Sequence, residues 1–122
     1  ETTTGTGLSD IKTLETNIIN TTSVLDKMPE FPGGMQKFYN YVGSNFEKPE
    51  LEVSRTMKIY VYFVIEKDGS MTDIKVIKDP GFGLGQEAIR VLKSLKTKWE
   101  PGIINGKSVR TSYNLPIVVQ MR

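Results

Sequence analysis

Met57-Lys58-Ile59-Tyr60-Val61-Tyr62-Phe63-Val64-Ile65, followed by Glu66-Lys67-Asp68-Gly69-Ser70, is the stretch from which the fold is read. Odd positions put Met57, Ile59, Val61, Phe63 and Ile65 on one face of a strand. Even positions put Lys58, Tyr60, Tyr62 and Val64 on the other, because side chains alternate along a strand. A strand apolar or aromatic on both faces belongs in the middle of a sheet. Asp68-Gly69 then signals a hairpin. Met71 to Lys78 is the expected return strand, with Thr72, Ile74 and Val76 alternating against Asp73, Lys75 and Ile77.

Outward from this hairpin the pattern changes to helical. After the loop Asp79-Pro80-Gly81-Phe82-Gly83, residues Leu84, Ala88, Val91, Leu92 and Leu95 recur at 3.6-residue spacing, with Glu87, Arg90, Lys93 and Lys96 outside. On the other side, Phe31-Pro32-Gly33-Gly34 breaks the chain and starts a helix whose inner face is Met35, Phe38, Val42 and Phe46. Lys48-Pro49 closes it, since the residue before proline avoids the α region. Trp99-Glu100-Pro101-Gly102 and Asn105-Gly106 are turns. Val109 to Met121 is a strand with one wet face: Val109, Thr111, Tyr113, Leu115, Ile117, Val119 and Met121 point one way, Arg110, Ser112, Asn114, Pro116 and Gln120 the other.

The expected fold class is α+β in the order helix-strand-strand-helix-strand. The sheet is expected to be three-stranded and antiparallel, in spatial order 2-1-3, with both helices on one face. The last strand then has an open edge, which suits Pro116, a residue with no N–H to give a central ladder.

Composition supports one domain and excludes several chemistries. The chain has 122 residues, 38% of them hydrophobic, and a net charge of +2. Residues 1 to 23 hold eight threonines and no aromatic residue. Residues 1–27 therefore read as a polar, flexible lead-in, and 28–122 as the folded domain. With neither Cys nor His, thiolate nucleophiles, Ser-His pairs and the usual zinc sites are ruled out. No catalytic residue, metal ligand or cofactor site is expected. The weak, scattered charge is not a nucleic-acid footprint. Because the chain opens on Glu1, any signal or anchor is expected upstream of it.

Some residues invite sharper readings. Trp99 reads as the cap of the core where the second helix meets the turn, rather than as a ligand-stacking ring. Tyr60, Tyr62 and Phe63 lack the signature that accompanies aromatic sheets that bind RNA. Asp68 and Asp73 read as turn and surface residues, not as an acid-base or calcium pair.

The ordered set Pro29-Glu30-Phe31-Pro32-Gly33-Gly34, Pro49, the apolar strand closed by Glu66-Lys67-Asp68-Gly69, Glu87-Ala88-Ile89-Arg90, Trp99-Glu100-Pro101-Gly102, Gly106-Lys107-Ser108-Val109 and Leu115-Pro116-Ile117 resembles TonB C-terminal domains of the Bacteroidetes type. The likeness runs from about Met28 to Met121. Two positions depart from the family's pattern: Lys48 stands where tyrosine often precedes the proline, and Met57 where glycine often opens the strand.

The resemblance implies a non-enzymatic periplasmic domain of an energy transducer. Tethered to the inner membrane beside ExbB–ExbD, it would capture the TonB box of outer-membrane transporters and pass on proton-motive force for nutrient uptake. Strand addition at the open edge fits that role. The expected peptide-binding residues are Arg110, Thr111, Ser112, Tyr113, Asn114 and Leu115, with Lys48 and Pro49 flanking the path. The open edge also leaves room for a homodimer. Two alternatives share the fold: the periplasmic domain of a membrane sensor or regulatory peptidase, and a cell-wall-binding module.

Overall fold

Burial follows the period-2 reading of the central strand. Met57, Ile59, Val61, Phe63 and Ile65 are each at most 4% exposed. In the computed structural model, which describes residues 18–50 and 54–121, the element order is β1 (Ile19–Asn20), a 3-10 turn (Thr22–Val24), α1 (Met35–Asn45), β2 (Arg55–Ile65), β3 (Met71–Lys78), α2 (Leu84–Ser94), β4 (Gly102–Ile104) and β5 (Lys107–Met121). The sheet order is β1-β5-β2-β3, and β4 pairs with β5. Strand β2 is antiparallel to both β3 and β5, so the three long strands take the expected 2-1-3 order with β2 central.

The three-stranded antiparallel description needs correction. The sheet has five strands and is mixed, because β1 runs parallel to β5, with Ile19 beside Arg110 and Asn20 beside Thr111. Strand β4 folds back on the start of β5 through Asn105-Gly106. Both turn residues have positive φ, +52° and +76°, which is what a two-residue hairpin of the primed type demands. The junction between the polar lead-in and the domain is held by backbone bonds. Asp26 and Lys27 hydrogen-bond the Ile103 backbone, and Glu30 exchanges both bonds with Glu100. Residues 1–17 of the 1–27 lead-in lie outside the described residues.

Strand β3 departs from strict alternation. Asp73 takes a left-handed conformation, φ +54°. Asp73 and Ile74 together face the single residue Phe63, since Tyr62 pairs with Lys75 and Val64 with Thr72. This bulge changes the phase. Met71, Ile74 and Val76 turn to the core, and Thr72 is exposed rather than inward.

Both helices cover the face of the sheet that the odd residues of β2 and β5 form. Phe38 and Val42 of α1 and Leu84, Ala88, Val91 and Leu92 of α2 join Leu115, Ile117, Val119 and Met121 in one core. Trp99 is at its centre, 2% exposed, in ring contact with Phe31, Phe38, Phe63 and Tyr113.

The β2–β3 hairpin is locked to that tryptophan. Glu66 and Gly69 close the turn (Gly69 N–H to Glu66 O, 2.9 Å), Asp68 accepts from Ser70, and Trp99 N–H donates to Gly69 O. Gly69 has φ +89°, and a Cβ there would lie 2.0 Å from the Trp99 carbonyl oxygen. Gly69→Ala is therefore expected to lower stability by about 2 kcal/mol, from left-handed strain alone, with the clash in addition. Urea denaturation measures it, and an unchanged midpoint would mean that the turn is free to move off Trp99.

Candidate functional site

Strand β5 is longer than its partners can cover. Thr111 to Met121 pair with β2 on one side. Beyond the end of β2, β4 takes Lys107–Val109, and on the other side β1 takes Arg110 and Thr111. Among the described residues no strand lies against Ser112–Met121.

The direction of each backbone group along that edge follows from one residue. Pro116 stands opposite Tyr60. Without an N–H it cannot belong to a pair that exchanges two bonds, so this is a non-hydrogen-bonded pair and its carbonyl faces outward. Alternation then turns the N–H and C=O of Asn114, Val118 and Gln120 to the same open side, while the Ser112 N–H faces the end of β1. Side chains from elsewhere agree. The Tyr39 hydroxyl donates to Pro116 O at 3.3 Å, the Lys48 ammonium to Gln120 O at 2.7 Å, and the Asn20 amide to Arg110 O at 3.2 Å.

Beside this edge the surface is hollow. A groove of about 510 Å³ runs between α1 and the second half of the edge, lined by Tyr39, Val42, Phe46 and Lys48 against Pro116–Gln120. A smaller hollow of about 290 Å³ lies by Thr21, Thr22 and Met28 next to Ser112–Asn114. Tyr39, Met28 and Val118 are exposed there. Unpaired backbone beside exposed apolar side chains is the makeup of an interaction edge. Burial, followed by the charge around Tyr113, raises the Tyr39 hydroxyl above its usual range, so it stays a neutral donor.

The expected site residues divide. Asn114 lies on the open stretch, and Ser112 stands at its start, with its hydroxyl donating to Asn20 O at 3.4 Å. Arg110 and Thr111 do not lie on it: β1 covers their edge. Arg110 also grips Glu66 at 2.8 Å, and that bond is the largest cause holding the Glu66 carboxyl below its ordinary value. Thr111 is fully buried. Tyr113 stacks on Phe63 and Leu115 points into the core, so these two offer backbone only to β2. Lys48 stands at the groove, and Pro49 follows it, half-buried. Sequence reasoning missed Tyr39, Phe46 and the stretch Val118–Gln120. The position of Pro116, in the middle of an alternating run, was the one available signal that the edge extends past Leu115.

The family model of the Gram-negative bacterial TonB protein C-terminal domain matches residues 55–118. The chain belongs to this family. The match takes in the TonB-type central strand, its hairpin, α2 and β5 as far as Val118. No curated protein matches the chain. TonB C-terminal domains are periplasmic, act by binding protein rather than by catalysis, and interact with outer-membrane transporters. Among the described residues no helix is long and apolar enough to cross a membrane.

Proposed function

We propose that this TonB domain docks the extended TonB-box segment of an outer-membrane transporter by strand addition along Ser112–Gln120. In the same reading, an upstream segment tethers the protein to the inner membrane, and ExbB–ExbD supply the proton-motive force that it transmits. The observation that carries the proposal is the row of outward backbone groups at Asn114, Val118 and Gln120 beside a groove of about 510 Å³. An incoming strand satisfies those groups, and its alternate side chains enter the hollows. At about 0.5–1.5 kcal/mol net per backbone bond, with a few pocketed side chains offsetting the entropy of association, micromolar affinity follows.

Amide hydrogen exchange tests this at single residues. With a TonB-box peptide present at about ten times its Kd, exchange at Asn114, Val118 and Gln120 is expected to slow about tenfold. The Leu115, Ile117 and Val119 amides already serve the β2 ladder and should change little. Peptide binding that slows exchange elsewhere and leaves these three amides untouched would place the docking surface off this edge.

A further inference from the structure

Among the described residues that line the groove beside the edge, Lys48 is the one that is charged. The walls of the groove are Val42 and Phe46 of α1 and the residues around Val118, with neutral Tyr39 at one end and the Lys48 ammonium at the other. We propose that Lys48 sets the specificity of the edge by pairing with a carboxylate on the docked segment where that segment passes Gln120. The inference rests on the strand-addition reading above and names the ligand chemistry: apolar side chains for the groove and one carboxylate at its Lys48 end.

The reason lies in what docking does to Lys48. Its ammonium now donates to Gln120 O at 2.7 Å, a carbonyl that faces the open edge. A strand laid along β5 brings its own N–H to that carbonyl and competes for the same oxygen. The displaced ammonium, with three donors and no acceptor of its own, is left at the mouth of an apolar groove. Glu47 and Glu50 flank Lys48 on the same loop and Glu87 lies near it. Among the described residues none of the three is ion-paired with Lys48, and Glu87 accepts from the Glu47 N–H and from Arg90. A carboxylate from the ligand restores a charge-assisted bond. A neutral residue leaves the cation to water, and a basic one repels it.

The carboxylate has two possible sources, an Asp or Glu side chain or the C-terminus of the segment. The probes are Thr/Val peptides of about ten residues, the span of a long strand, blocked at both ends and carrying one Glu at either the first or the last position. Matched peptides carry Gln instead, and one Gln peptide has a free C-terminal carboxylate. Binding to the whole chain is titrated at low ionic strength. One acidic peptide is expected to bind about three- to fivefold tighter than its Gln partner, the range of a partly exposed ion pair. That preference should vanish in Lys48→Met, which keeps the affinity for the Gln peptide, and reverse in Lys48→Glu. A preference shown only by the free C-terminus supports the same pairing and identifies its source. Equal affinity of the parent chain for acidic and neutral peptides overturns selection by Lys48 and leaves edge docking standing. A parent chain that binds none of the peptides overturns edge docking, and this inference with it.

Discussion

Asn114→Pro is expected to weaken binding of a TonB-box peptide about tenfold to a hundredfold while the domain stays folded. Asn114 stands opposite Tyr62, two residues from Pro116, so its N–H points to the open edge and is not used by the β2 ladder. Its side chain is exposed. Proline there costs the fold little, because it is tolerated on an edge and its preceding residue, Tyr113, is already extended. A docked peptide suffers more. One of its carbonyls loses its donor, at about 1–3 kcal/mol, and the ring crowds the approach beside the gap that Pro116 already makes. Against micromolar affinity the loss is about tenfold to a hundredfold, which moves the Kd to about 10–100 μM. Asn114→Ala keeps the N–H and should bind nearly as the parent does. Titration of a labelled peptide with circular dichroism on the same samples decides between them. A folded Asn114→Pro that binds normally would remove this strand as the docking edge.

Trp99→Ala carries the largest expected loss of stability. The ring is 2% exposed and touches four aromatic rings with centroids 5.2–5.8 Å away. Removing it leaves a cavity where α1, β2, β5 and the Phe31 loop meet, at about 3–5 kcal/mol. A domain of this size has about 5–15 kcal/mol in all, so the variant should unfold at much lower urea and express poorly. Trp99→Phe is the informative companion. The indole N–H is buried without a hydrogen-bond partner among the described residues. No bond is therefore lost, and the cost should fall to about 1–2 kcal/mol. A Trp99→Ala protein as stable as the parent would mean that the core closes over the gap.

How much of this was open to reading depended on the strength of the local pattern. Met57–Ile65 declared itself central because its two faces are both apolar or aromatic, and Leu84 to Leu92 declared a helix by its period. Pro116 marked an edge from its covalent structure alone. Strand β1 gave no such signal: two residues, Ile19 and Asn20, are too few to show a period, and their pairing with Arg110 and Thr111 spans most of the chain. That pairing is what moved the open stretch away from Arg110 and Thr111. The bulge at Asp73 was hidden because nothing in Thr72-Asp73-Ile74 announces a positive φ at a residue other than glycine. The groove was hidden for a different reason. Tyr39 and Pro116 lie 77 positions apart, and Lys48 and Gln120 lie 72 apart. Contacts at that separation are products of tertiary packing, and local periodicity has no access to them.

Pro116 also bears on how the molecule treats copies of itself. Two identical edges laid antiparallel are related by a two-fold axis through the sheet, so each chain presents its own proline to the shared ladder. With the axis at Pro116 the two rings face each other, and the middle of the ladder has no donor from either side. With the axis anywhere else, two separate rungs are missing. A foreign peptide of ordinary composition meets only one missing rung. The defect is therefore doubled by symmetry for self-pairing and single for a partner. One imino acid in the middle of β5 thus tilts the edge away from its twin and toward a different chain.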